Sequence, residues 1–335
     1  MRAGRRIPQH IWNAFEKTFA TDNAGILDER HQSPKFSQGF WVSMYWETLA
    51  RQIPPRAQRD ARRMGVPVVF LQSVDECNSI DRNAAQRLLN VPNMHNTGHM
   101  HGVLPSHVGM RVRFAVKLNS KLGLVQEQKG TIVEFLFKDE DKERYNQCLP
   151  GELFRPRYQP AGIWLQLDSF QQSPIWEELL PFVDCPGAAG RVAQAERAKG
   201  LLLFEPVVTE FTWRSSETHT VKRTGFPLTH ASFITSTASQ GQTIRTGVTI
   251  DCARMEPQGH QGTKDADWWL HLYVMFSRVT CMEDMLLLRP PPRVLLEAGP
   301  PVEVKSALAQ FERKITDSTQ TAASLADRLG MFVPA

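Results

Sequence analysis

The chain has 335 residues, 41% of them hydrophobic and 22% charged, with a formal net charge of +4. That composition supplies core material for one large or two ordinary domains and excludes a disordered chain. The mild basicity permits a polyanionic partner without requiring one, and no apolar run approaches the ~18 residues of a membrane span.

Residues 1–65 read as a mostly helical lead-in, in which Pro54-Pro55 marks the start of a charged helix ending in QRDARRM (58–64). VPVVFL (66–71) is a short continuous apolar run, as expected of a strand buried on both faces of a parallel sheet. Asp75 and Asn78 suit a helix start, with Ile80, Ala84 and Leu88 spaced for its buried side. Strand, loop and helix make one α/β unit over 66–100. Beyond residue 101 the period changes. GMRVRFAVKL (109–118) alternates, with Met110, Val112, Phe114, Val116 and Leu118 on one side and Arg111, Arg113 and Lys117 on the other. TIVEFLF (131–137), Ile163–Leu167 and Val207–Trp213 predict further short strands with little helix between them. Residues 101–225 therefore read as a small β-barrel, with KDEDKERYNQ (138–147) and DCPGAAG (184–190) as surface loops. The α/β pattern returns over 226–290. Ala231–Thr235, GVTIDCA (247–253) and MLLLR (285–289) read as strands. Trp268, Trp269, Leu272, Tyr273 and Phe276 form one stripe of a helix capped by Asp265 or Asp267. Residues 291–335 read as a helical tail with Val304, Leu308, Phe311 and Ile315 at core spacing. The expected fold class is α/β: a parallel-sheet domain interrupted by an inserted small barrel and flanked by helical segments.

The five cysteines (Cys77, Cys148, Cys185, Cys252, Cys281) are far apart and form no C-x-x-C pair. This fits reduced thiols in a cytosolic, nuclear or organellar protein. The N-terminus is arginine-rich without an apolar signal core, and Glu16 counts against a mitochondrial presequence.

Two segments carry chemistry. In ITSTASQGQT (234–243), Gly241 lets the backbone approach a ligand closely and Gln240 can donate to a phosphate, although a Ser-Gln-Gly turn also occurs without function. The turn is expected to open a helix. LYVMFSRVT (272–280) ends an apolar helix on Ser277-Arg278, which either delivers a guanidinium to phosphates or complements the helix C-terminal dipole. Their order and their elements make the pair more specific than either alone. Three signals are weaker. His95, His99, His101 and His107 cluster, yet lack a Cys or acid partner and suit a turn-rich loop. The Arg111, Arg113 and Lys117 face grips phosphates or is simply solvated. Trp268 and Trp269 could stack bases, but their spacing favours the core. No G-x-x-x-x-G-K-[ST] occurs in the 335 residues.

ITSTASQGQT and YVMFSRVT resemble motifs V and VI of superfamily 1 DNA helicases of the PIF/RecD branch, close to A-x-T-x-H-K-S-Q-G-x-T and V-A-L-S-R. VVFLQSVDECNSIDRNAAQRL (68–88) is similar to that family's entry into its second RecA-like domain, and residues 103–135 resemble the start of its inserted barrel. ILDERHQSPKFSQGFW (26–41) is similar to a segment whose arginine reaches the nucleotide. Here His31 takes that column, Gln32 the next, and Arg30 stands one place off. Two departures stand out: the family's His-Lys is Thr237-Ala238, and Thr-Asn is Ser73-Val74.

The resemblance implies the C-terminal half of an ATP-dependent 5′-to-3′ DNA helicase, with DNA repair and recombination as associated processes. Arg278 would be its arginine finger, and Gln240, Gly241, Ser277 and Arg278 would border the nucleotide. Thr235, Ser239, Gln240, Thr243, Arg111 and Arg113 would meet single-stranded DNA. ATP and Mg²⁺ serve the intact family, whose P-loop and metal-binding carboxylates lie on a first RecA-like domain. Asp28-Glu29 follows no apolar strand and makes a poor metal site. The 335 residues alone are expected to be inactive, with that domain as a partner on other polypeptide. The compartment expected is nucleus or mitochondrion, with cytoplasm open. The alternative is a non-catalytic nucleic-acid-binding or interaction protein derived from a helicase.

Overall fold

A computed structural model describes residues 6–20, 29–77, 81–118, 124–168, 200–214, 218–254 and 265–328. The chain divides into two compact units, Met1–Met44 with Thr235–Ala335, and Tyr45–Ile234. Helices α1 (Gln9–Glu16) and α2 (Pro34–Ser37) precede strand β1 (Phe40–Ser43). The second unit runs through α3 (Trp46–Met64), β2 (Val68–Gln72), β3 (Val74–Glu76), α4 (Arg82–Leu89), β4 (Val103–Ser106), β5 (Arg111–Phe114) and β6 (Lys129–Leu136). It continues with α5 (Asp139–Asn146), β7 (Leu153–Phe154), β8 (Gly162–Leu167), β9 (Leu201–Phe204), β10 (Val207–Arg214), β11 (Thr218–Gly225) and β12 (Leu228–His230). Strand β13 (Phe233–Thr235) leads back to the first unit, which adds β14 (Val248–Asp251), α6 (Asp265–Phe276), β15 (Met285–Leu288), α7 (Arg293–Ala298) and α8 (Val302–Arg328).

The first unit is built on the sheet β13-β1-β14-β15. β14 is parallel to β1, with Phe40 opposite Val248, and parallel to β15, with Val248 opposite Met285. Thr18 and Ala20 extend this edge through hydrogen bonds to Leu287. Val248, Ile250, Leu286 and Leu287 are buried, as strands covered on both faces require. Trp268, Trp269, Leu272 and Met275 bury one side of α6, and the Trp268 indole donates to the Cys252 carbonyl at 3.3 Å. Both tryptophans are thus core residues. In α8, Val304 is buried and Ile315 is exposed. The side chains at 308 and 311 lie outside the described residues.

The second unit holds an antiparallel five-stranded sheet, β12-β5-β6-β8-β9, and two three-stranded sheets, β10-β11-β3 and β4-β2-β7. Its connections differ from the sequence reading in several places. The apolar run at 68–72 is a strand, but it pairs antiparallel with β4 and parallel with β7, outside the sheet of β1, β14 and β15. A strand of that parallel sheet, β1, instead comes from residues read as helical. Pro54 and Pro55 lie inside α3, which starts at Trp46. α3 ends where Gly65 adopts φ +73°, and the Val66 amide then reaches back to the Ala61 carbonyl, satisfying a terminal acceptor. The stretch read as a loop at 138–147 is α5. It carries three acidic residues in its first turn, and its buried Asp141 accepts the amides of Arg157 and Tyr158. β10 belongs to a three-stranded antiparallel sheet with β11 and β3, apart from the five-stranded sheet. α4 is capped by Asp81, whose carboxylate accepts the Ala84 amide at 2.7 Å. Asp75, read as part of that helix start, instead forms a bidentate pair with Arg223 (2.6 and 2.7 Å). The Arg223 side chain is fully buried and also donates to the carbonyls of Met100 and Leu88. Asn78, Ile80, Asp28 and the loop 184–190 lie outside the described residues.

Candidate functional site

Thr235 ends β13, and the chain turns at once without opening a helix. The turn is wound on its own polar groups. Thr235 Oγ1 accepts the Ala238 amide (3.3 Å), and the Thr235 carbonyl accepts the Ser239 amide (3.0 Å). Ser239 is fully buried, and its hydroxyl donates to the Ser236 carbonyl at 2.7 Å. The Gln242 side-chain amide donates to the Ala238 carbonyl at 2.8 Å. Ser236 anchors the turn twice, through its amide to the Ser43 carbonyl at the end of β1 and through its hydroxyl to His271 Nδ1 on α6 at 2.6 Å. Burial holds His271 below the usual imidazole range, with Asp267 opposing the shift. Gln240, Gly241 and Thr243 are left on the surface, and Gly241 has φ +74° with open space around its Cα. A left-handed residue with no neighbour is where a backbone amide can meet a ligand.

Arg278 follows α6 and is tied to the same turn. Its Nη1 donates to the Gln242 carbonyl at 3.2 Å, and its own carbonyl accepts the Ile244 amide at 2.8 Å. Nε reaches the Val274 carbonyl at 3.1 Å, and Nη2 reaches Ser277 Oγ at 2.7 Å. Every acceptor is neutral, and among the described residues no carboxylate pairs with Arg278. Arg56, Arg111, Arg113, Arg223, Arg289 and Arg293 all have carboxylate partners. Arg278 is thus a half-buried cation, aimed by carbonyls and a hydroxyl, with no carboxylate to compensate its charge among the described residues. Such a group favours an anion.

The other residues read as ligand contacts have partners of their own. Arg111 is exposed and forked to Asp168, with Nη1 to Oδ1 at 2.8 Å. Arg113 is buried, paired with Glu127, and donates to the Phe233 carbonyl, so it does not share a solvent face with Arg111. Arg30 spends its guanidinium on the carbonyls of Lys17 and Phe19. The His31 ring sits edge-on to Trp41. His95 and His99 meet through their Nδ1 atoms at 3.0 Å.

Sequence reasoning missed the Ser236–His271 bond. Its signal was a lone histidine in an otherwise apolar helix. It also missed Asp251, buried at the end of β14 and paired with Arg289, a residue at φ +50° directly after β15.

No family profile and no curated protein sequence matches the chain. Among solved structures it is similar to the Pif1 helicase from Candida albicans, at 16% identity and a TM-score of 0.44, over 91% of this chain and 58% of that one. It is similar to Bacteroides Pif1 bound to ssDNA, at 14% identity and 0.49, over 93% and 51%. A Bacteroides Pif1 helicase in complex with ADP-AlF3 and ssDNA matches at 15% identity and 0.48, over 93% and 51%. The chain therefore spans little more than half the length of these structures.

Proposed function

We propose that the chain supplies the second motor half of an ATP-dependent 5′-to-3′ DNA helicase of the PIF/RecD type. The observation that carries this reading is Arg278, an arginine held by neutral acceptors against the 239–243 turn and lacking a carboxylate among the described residues. Its guanidinium would stabilise charge on a transferring phosphoryl group, a contribution of about 10³–10⁵ in rate when the phosphates are present. Gln240, Gly241 and Thr243 would carry contact with the nucleotide or strand. Ser239 and Thr235 act one step behind, because their side chains shape the turn. The five-stranded antiparallel sheet of the second unit would be the inserted barrel. ATP and Mg²⁺ would be held chiefly by a first RecA-like domain outside these 335 residues, which contain no P-loop.

A second reading, a helicase-derived binding protein without catalysis, draws on one observation. Ala238 stands where the family's motif has lysine, so the turn has lost a point charge for phosphate.

The test uses the purified 335-residue chain with fluorescent oligo-dT and with ATP. With about three phosphate contacts, single-strand affinity should fall roughly twentyfold between about 50 and 200 mM salt. Binding indifferent to salt argues against an electrostatic groove. The chain alone should show no DNA-stimulated ATP turnover. Turnover that survives Arg278→Ala overturns the assignment of Arg278.

A further inference from the structure

The second unit contains a cleft of about 320 Å³ bounded by α3, β2, α4 and β4, remote in sequence from the 235–243 and 272–280 segments. This volume falls at the small end of the ~300–1,000 Å³ range of small-molecule sites. Its polar lining has one sign. Arg51 and Arg155 contribute cations, Gln72, Gln86 and Asn90 contribute carboxamides, and among the described residues no carboxylate lines it. Neither arginine has an ion-pair partner among the described residues. The Arg155 guanidinium lies over the Phe70 ring, 5.3 Å from its centroid, so a cation and an aromatic ring stand together in the lining. Ala50 and Arg51 also line the cleft, and Pro54 and Pro55 deprive their carbonyls of the usual i+4 amide donors.

Unpaired guanidinium groups, a planar stacking surface and amide and carbonyl groups that both donate and accept are the complement of one particular chemistry. A planar heteroaromatic base needs a stacking face and mixed hydrogen bonds along its edge, and its phosphate needs guanidinium. We infer that this cleft binds a single nucleotide unit, with the base against Arg155–Phe70 and the carboxamides and the phosphate on the arginines. The unit is either one residue of a nucleic-acid strand or a free nucleotide. The strand source rests on the helicase reading; the free-nucleotide source does not, since the cleft uses neither Arg278 nor the 239–243 turn.

The experiment titrates the whole chain with three probes: dAMP, inorganic phosphate and fluorescent oligo-dT. Each is repeated on Arg155→Ala, Arg51→Ala, the conservative Arg155→Lys and Arg278→Ala, with folding checked by circular dichroism. Binding of dAMP, weakened at least tenfold by either alanine change and only partly restored by Arg155→Lys, supports the site with a free nucleotide as its source. Oligo-dT binding weakened tenfold by the same changes, without competition from dAMP, supports the site with a strand as its source. Loss of strand binding through Arg278→Ala alone, with both arginine variants unchanged, sinks the cleft and leaves the Arg278 reading standing. Competition by phosphate equal to that by dAMP also overturns the inference, because the base would then contribute nothing.

Discussion

Arg223 shows how much one residue can hold. Its buried guanidinium joins Asp75 on β3 to the carbonyls of Met100 and Leu88, and it lies 5.3 Å from the Phe211 ring centroid on β10. Removing one member of such a pair strands the other charge in low dielectric. Asp75→Ala should therefore destabilise the chain by about 3–5 kcal/mol, read as a shift in the urea midpoint at constant m. The double change Asp75→Leu with Arg223→Met should recover much of that loss, since the uncompensated cation goes with it. A loss from Asp75→Ala below about 1 kcal/mol would show that the pair is solvated in solution.

At the scale of elements, the ends of the helices are set by backbone chemistry that single substitutions can reach. Gly65 closes α3 at φ +73° with nothing near the position of a Cβ, so Gly65→Ala costs only backbone strain, about 1–2 kcal/mol. Asp81→Ala removes the cap of α4 and should cost about 1 kcal/mol. Thermal denaturation of the two variants and their combination checks both, and the losses should add because the sites share no partner.

These elements also show what the sequence made legible. Apolar runs at 68–71 and 285–288 announced strands correctly, because burial on two faces demands continuous apolar residues, and Val248 and Ile250 announced the strand at 248–251. The run at 68–72 did not announce its sheet, since periodicity names a face and never a partner. Asp75 and Asn78 were read as the helix start, whereas Asp81 caps it. Only Arg223, 148 residues later, takes Asp75 out of contention. Arg113 followed the alternation of an exposed face, yet Glu127 and the Phe233 carbonyl let it be buried. Within the site, the proximity of Arg278 to the 239–243 turn was legible from two motifs in order. The anchoring of that turn by His271 was not, because one histidine on an apolar helix carries no spacing rule.

For the whole molecule, buried neutral histidines set a limit on the acid side. Burial, reinforced by Arg113 and Arg223 nearby, lowers His101 to about 4, and burial pushes His230 well below the usual imidazole value. Above pH ~6.5 both folded and unfolded chains hold these rings neutral, and no stability is at stake. As pH falls from ~6.5 toward 4, the unfolded chain takes up protons that the folded chain refuses, so stability declines. His101 alone accounts for about 3 kcal/mol across that window. Urea unfolding at pH 7, 5.5 and 4 should show this decline, and His101→Gln should flatten it. A profile unchanged by the substitution would assign the acid sensitivity to other groups.

The pairing of Phe40 with Val248 has a consequence for biosynthesis. Strand β1 leaves the ribosome before the entire segment Tyr45–Ile234, and its parallel neighbour β14 emerges only afterwards. At ~5–20 residues per second that delay lasts roughly ten to forty seconds. During it, the nascent chain carries an apolar strand whose sheet neighbours, β13 and β14, have not yet been made. Slowing translation through Tyr45–Ile234 should therefore lower the soluble yield of the chain, measured against a synonymous fast-codon version of the same segment.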